Sequence, residues 1–174
     1  MVIWVTGLAG AGKTSFAREF SCLLRTKLDC VVNLDGDELR GIFGREADNS
    51  YSRENRFKLA QSYAKLANSL SSQGLIVIIS TISLFKEIHN WNRKHIKDYI
   101  EIFLDPPAGI LKKRDQKNLY SNYENGTGKN ISGLDIKVNF PQNPDFHFAE
   151  AGETELRQVA LKVFEHHKGK KNED

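Results

Sequence analysis

Residues 7–14 read Gly-Leu-Ala-Gly-Ala-Gly-Lys-Thr, the full G-x-x-x-x-G-K-[ST] pattern of a phosphate-binding loop. Its glycines let the main chain wrap closely around a polyphosphate. The loop amides and the start of the next helix supply positive potential. In such a loop Lys13 reaches the β- and γ-phosphates of ATP and the Thr14 hydroxyl ligates Mg²⁺. Gly7, Leu8, Ala9, Gly10, Ala11, Gly12 and Ser15 complete the expected ATP-binding set. A second constellation follows at Leu34-Asp35-Gly36-Asp37-Glu38-Leu39-Arg40. Phosphoryl transfer asks for a carboxylate that orients the attacking hydroxyl and for cations that hold an anionic acceptor. Asp35 and Asp37 offer the carboxylates, and Arg40 a forked cation. On an extended segment the alternate residues 35 and 37 point the same way, toward the loop. The same Asp-Gly-Asp run also suits a solvated turn that starts a helix.

These residues need a scaffold, and the hydropathy pattern describes one. Strands are expected at residues 2–6, 31–34, 75–80 and 99–104, with a weaker one at 146–148; each is short and nearly all apolar, as in parallel strands covered on both faces. Helical stripes lie between them. Phe16, Phe20, Leu23 and Leu24 form one; Leu59, Ala60, Tyr63, Ala67 and Leu70 form another, with Ser52 as N-cap and Gly74 just past its end. Further helices are expected at residues 84–96 and 108–116. The last carries Leu156, Val159, Ala160, Val163 and Phe164. The alternation predicts an α/β domain over residues 1–167, with about five parallel strands and the phosphate loop after the first. Both constellations then fall at the carboxyl edge of the sheet, where ligands bind in such folds. Residues 118–145, with six asparagines and three glycines, break the rhythm and are expected to form a lid that docks through Tyr120, Tyr123, Phe140, Pro141 and Pro144. A polar, frayed tail is expected at 168–174.

Composition narrows the function. With 174 residues, 40% hydrophobic, 27% charged and a formal net charge of +3, the chain reads as one soluble domain. The charge suits an anionic small molecule and lacks the basic stripe of a nucleic-acid binder. The longest apolar run, residues 75–79, is too short for a membrane span, and the start of the chain does not read as a signal peptide. Cys22 and Cys30 are expected to be buried thiols in a reducing cytoplasm. The histidines at 89, 95, 147, 166 and 167 lack metal-ligand spacing and read as surface or capping residues. Trp4 is expected in the core and Trp91 in the core or an interface. No N-K-x-D element for reading guanine occurs, which leaves a small kinase acting on a metabolite as the expectation, against a non-catalytic ATP-binding module.

Taken together, these residues resemble the adenylylsulfate (APS) kinase family and its P-loop NTPase fold. The likeness begins with the loop and Leu-Asp-Gly-Asp-x-x-Arg. It continues through Tyr51-Ser52 with Arg56, Ile82-Ser83, Arg114-Asp115-x-Lys117-x-Leu119-Tyr120, Ser132-Gly133-Leu134-Asp135 and Pro141-x-x-Pro144. The resemblance implies transfer of the ATP γ-phosphoryl group to the 3′-hydroxyl of APS, with Mg²⁺ held by Thr14 and by Asp35, directly or through water. It places Asp35 and Asp37 between metal and hydroxyl, with Asp37 on the hydroxyl. Arg40 and Arg56 clamp the phosphate-sulfate end; Tyr51, Ile82, Ser83, Leu119 and Ile131 line the acceptor site, and Lys117 reaches it from the lid. Arg114 stabilises the moving group, Pro141 and Pro144 lie against the ATP base, and a homodimer is implied. Ser83 also matches a phosphoserine proposed in that family. Pocket lining is the preferred reading here, because a phosphate loop already aligns donor and acceptor.

Departures from the family pattern gather on the acceptor side. Leu59 and Gln61 stand where the family has Asn and Arg, Thr81 replaces Phe, Leu84 replaces Pro, and Ile88-His89 replaces Asp-Arg. Ile131 stands where an aromatic residue would stack on the acceptor base. A smaller pyrimidine needs less stacking surface. The alternative acceptor is therefore cytidine diphosphoramidate, the substrate of a related kinase in capsule building.

Overall fold

Five short apolar runs pair in parallel into one sheet of order β2-β3-β1-β4-β5, as the alternation predicts. The computed structural model describes residues 1–43 and 52–171. In chain order the elements are β1 (Val2–Thr6), α1 (Lys13–Arg25), β2 (Val31–Asp35), α2 (Gly36–Phe43), α3 (Arg53–Ser72), β3 (Ile76–Ser80), α4 (Lys86–His95), β4 (Tyr99–Leu104) and α5 (Ala108–Arg114). A 3₁₀ turn (Gln116–Asn118), α6 (Leu119–Glu124), β5 (Phe146–Phe148) and α7 (Glu153–Lys171) complete the order. Among the described residues no helix is long and apolar enough to cross a membrane.

Strand periodicity divides the core into two layers. Ile3 and Val5 of β1 face α1 and α7, packing with Phe16, Phe20, Leu24, Val159 and Val163. Val2 and Trp4 face the other way, against Tyr63, Ala64 and Ala67 of α3 and Ile88 of α4. Each fully buried side chain of this size contributes roughly 1.5–3 kcal/mol relative to exposure. The α3 boundaries follow local chemistry. Ser52 accepts from the Asn55 amide at the start. At the end Gly74, at φ +90°, allows the amides of Gly74 and Leu75 to close back onto Ser71 and Leu70.

Several expectations need correction. Cys22 and Cys30 are both exposed. The buried stripe of α1 runs through Phe16, Phe20 and Leu24, so position 22 falls on the outer face, and Cys30 lies in the turn before β2. His89 is buried, because β4 brings the almost fully buried Glu101 opposite it; His89 Nδ1 lies 2.6 Å from Glu101 Oε1. Arg93 of α4 extends this cluster, donating to Glu101, to Asp145 and to the Asn143 carbonyl. Trp91 is half-buried and stacks on His95. Residues 118–145 are more regular than expected. They contain α6 and a tight loop in which the Asp135 carboxylate accepts from the amides of Asn130 and Ile131. The last helix continues to Lys171, past the expected tail boundary.

Candidate active site

The register of the strands aligns the ends of β1, β2, β3 and β4 along one edge: Asp35 lies opposite Ser80, and Thr6 opposite Phe103. Beyond β1 the chain turns at Gly7, where any Cβ would run into the Leu104 carbonyl. Gly12 caps α1 at φ +92°, a conformation that glycine adopts without strain. Lys13 and Thr14 therefore open the first turn of α1 at the sheet edge. Lys13 Nζ donates to the Leu8 carbonyl at 2.7 Å. Burial lowers its pKa to about 8, although the charges of Asp37 and Asp35 act to raise it.

Asp35 is the hub. Its Oδ2 accepts from Thr14 Oγ1 at 2.7 Å and from Ser80 Oγ at 3.0 Å, and its Oδ1 accepts from the Asp37 amide at 2.8 Å. Burial acts to raise its pKa. Hydrogen bonds from Thr14, the Asp37 amide, Ser80 and the Glu38 amide outweigh it and hold the carboxyl below its usual value. The strand does not continue to residue 37, so the expected alternation is not what orients the pair. Asp35 ends β2 and acts as the N-cap of α2, which places Asp37 in the first helical turn. Both aspartates nonetheless line one cleft with Lys13 and Thr14. Asp37 Oδ2 accepts from Lys117 Nζ at 2.7 Å, in an exposed pair that spans the cleft.

The cleft encloses about 570 Å³, a volume suited to a nucleotide. Ala9, Gly10, Ala11, Gly12 and Ser15 line it, as do Arg40, Ile82, Arg114, Lys117 and Leu119. Gly7 and Leu8 form the turn beneath. A smaller cavity of about 30 Å³ adjoins it through the shared residues Arg40, Thr81 and Ile82. Arg56 and Ser83 line this second space with Leu59, Tyr63 and Ser132. Arg56 donates to the Asn130 carbonyl at 2.7 Å, and Ser83 Oγ lies 2.8 Å from Thr81 Oγ1. Among the described residues no group of three His, Cys, Asp or Glu forms a metal cage. The oxygen pair Thr14–Asp35 fits Mg²⁺ all the same, because that ion takes few protein ligands and completes its shell with phosphate oxygens and water.

Three expected residues are not brought to these spaces. Pro141 is buried and Pro144 half-buried, but neither lines the cleft. The reason is strand direction. Residues before β5 approach the far edge of the sheet, and those after it, Ala149, Glu150 and Ala151, reach the cleft instead. Ile131 is buried and lines neither space. Tyr51 lies outside the described residues. The sequence reading also passed over Gln116, whose Oε1 accepts from the Gly10 amide at 2.9 Å. Arg114 grips the same residue by donating to the Gly10 carbonyl at 2.9 Å, and Tyr120 donates to that of Ala9 at 3.1 Å. Gln116 sits between two motif positions and carries no charge, so only its neighbours pointed to it. Ser80 was legible as the last residue of a strand that ends beside Asp35.

A model of the adenylylsulphate kinase family matches residues 1–149. The chain belongs to that family. It is a nucleotide kinase of α/β architecture. Over 141 residues it is 43% identical to the cytidine diphosphoramidate kinase of Campylobacter jejuni subsp. jejuni serotype O:2, with 81% of each chain covered. It is 33% identical over 159 residues to the adenylyl-sulfate kinase of Clostridium acetobutylicum, covering 91% of this chain and 78% of that one. The Mycobacterium tuberculosis APS kinase CysC, solved in complex with AMPPNP and APS, superposes with a TM-score of 0.78 at 29% identity, covering 94% of this chain and 95% of that one.

Proposed function

We propose that the chain transfers the γ-phosphoryl group of ATP directly to the ribose 3′-hydroxyl of a small nucleotide that ends in an anhydride-linked group. One observation carries this reading: Asp35, hydrogen-bonded to the Thr14 hydroxyl, and Asp37 share a cleft with Lys13. The loop amides and Lys13 hold the β- and γ-phosphates. Mg²⁺, held by Thr14 and Asp35, supplies charge neutralisation on those phosphates when bound. Asp37 orients the acceptor hydroxyl and takes its proton, and Lys117 keeps that carboxylate in place. Arg114, anchored on the Gly10 carbonyl, stabilises charge on the moving group. Arg40 and Arg56 hold the anionic end of the acceptor. Gln116, Lys117 and Leu119 line the cleft and limit the access of water to the moving group.

Cytidine diphosphoramidate is the acceptor that we favour. The 43% identity to the Campylobacter enzyme supports it. APS is the second reading, supported by the family itself and by the likeness to CysC. A coupled ADP-release assay with ATP, Mg²⁺ and each acceptor separates them, followed by NMR location of the new phosphate on the ribose. Turnover with a 3′-phosphorylated product is expected. ATP binding without turnover on either acceptor would overturn the proposal in favour of a binding module.

A further inference from the structure

The small cavity beside the cleft holds two buried hydroxyls, those of Thr81 and Ser83, that the mechanism above does not use. At about 30 Å³ it is too small for a heteroaromatic base and suits only the outermost atoms of a ligand seated in the adjoining cleft. Its charged side chains, Arg40, Arg56 and Lys137, are donors only. An acceptor tip that itself donates N–H needs lone pairs, and hydroxyls are the side chains here that supply them. Ser132 Oγ already accepts from Arg56, and Tyr63 OH is turned to the Gly36 carbonyl, although each keeps lone-pair capacity. Thr81 and Ser83 stand out as a pair, both buried, hydrogen-bonded to each other at 2.8 Å, with Thr81 lining the cleft as well as the small cavity. Whichever donates, the pair keeps one free O–H and lone pairs on both oxygens, so it can accept from one group and donate to another. Ser83 is held there at φ +26°, a region that a non-glycine residue occupies at a cost and that often marks functional positions.

We propose that the Thr81–Ser83 hydroxyl pair is a specificity determinant for the terminal group of the acceptor, selecting a tip that carries an N–H donor over one that presents only oxygen acceptors. The inference rests on the 3′-kinase reading with a cytidine acceptor. A phosphoramidate tip donates to the pair while its oxygens meet Arg40 and Arg56; a phosphate tip satisfies the arginines and accepts the pair's one free O–H, but brings no proton to the hydroxyl lone pairs. A site built to hydrogen-bond such a group discriminates strongly against analogues without it.

The test is steady-state kinetics of the full chain with cytidine diphosphoramidate and with cytidine diphosphate, which share base and ribose and differ in one terminal group. The wild type should prefer the phosphoramidate. Thr81→Val, which keeps the β-branched shape without the hydroxyl, should lower that preference in kcat/KM about ten- to a hundredfold. KM for ATP should be unchanged, and Thr81→Ser should restore the preference. If Thr81→Val fails to fold, Ser83→Ala carries the same expectation. A preference that does not move, or an equal loss on both acceptors, overturns the specificity role alone. A wild type that phosphorylates neither cytidine nucleotide instead refutes the acceptor assignment beneath it.

Discussion

The two halves of the cleft are built in different ways. The donor half is one continuous loop whose binding groups are mostly main-chain amides, braced from behind by Arg114, Gln116 and Tyr120 on the backbone of Ala9 and Gly10. The half proposed above for the acceptor is assembled from side chains on α2, α3, the segment after β3 and the loop at residues 130–138. A backbone-built site tolerates changes of neighbouring side chains as long as its turns survive. A side-chain-built site changes its ligand with each substitution. This asymmetry accounts for an intact phosphate loop beside an altered acceptor pocket.

Variants on each side can break or sharpen that contrast. Lys13→Ala should cost the most, on the order of a thousandfold in kcat with an unchanged circular dichroism spectrum. Asp37→Asn should follow, losing on the order of a hundredfold in kcat while the calorimetric Kd for ATP stays within about twofold. Retention of full activity would remove Asp37 from the reaction. Arg56→Ala should raise the acceptor KM about tenfold and leave the ATP KM alone, since one charged hydrogen-bonding partner is lost. The donor half should also carry a pH signature. Phosphates attract the ammonium form of Lys13, whose pKa is lowered to about 8 in the free protein. ATP affinity is therefore full below pH 8 and should weaken about tenfold per unit above it, until the raised pKa of the complex is reached. Calorimetry at pH 7 and 9 should show this in the wild type and a flat profile in Lys13→Arg. The smallest effect is expected from Ser52→Ala. Losing the α3 cap should cost about 1 kcal/mol in urea unfolding, with less effect on acceptor KM than Arg56→Ala.

Much of this arrangement was legible in the residue order. The five strands and the phosphate loop follow from local signals, apolar runs and glycine spacing, that do not depend on distant contacts. The grouping of Asp35 and Asp37 was legible, but for the wrong physical reason: alternation along a strand was invoked, and a helix cap does the work. The misses are tertiary. Placing Pro141 and Pro144 at the cleft ignored the direction of β5, which delivers residues 149–151 there. Burial of His89 required knowing that β4 sets Glu101 against α4. Gln116 acts through a side-chain contact with main chain more than a hundred residues earlier, which no spacing rule encodes.

The two oxygens of the Asp35 carboxylate face different halves, one toward Thr14 and Ser80, the other toward the first turn of α2. Positions such as 59 and 81 line the small cavity without a hydrogen bond to the phosphate loop, so exchanging one of them leaves the loop's seat in place. Asp35 has no such freedom: exchanging it disturbs the seat of the triphosphate and the helix that carries Asp37 and Arg40 together. One carboxylate thus couples the two halves, so that neither can be re-engineered at this point without the other.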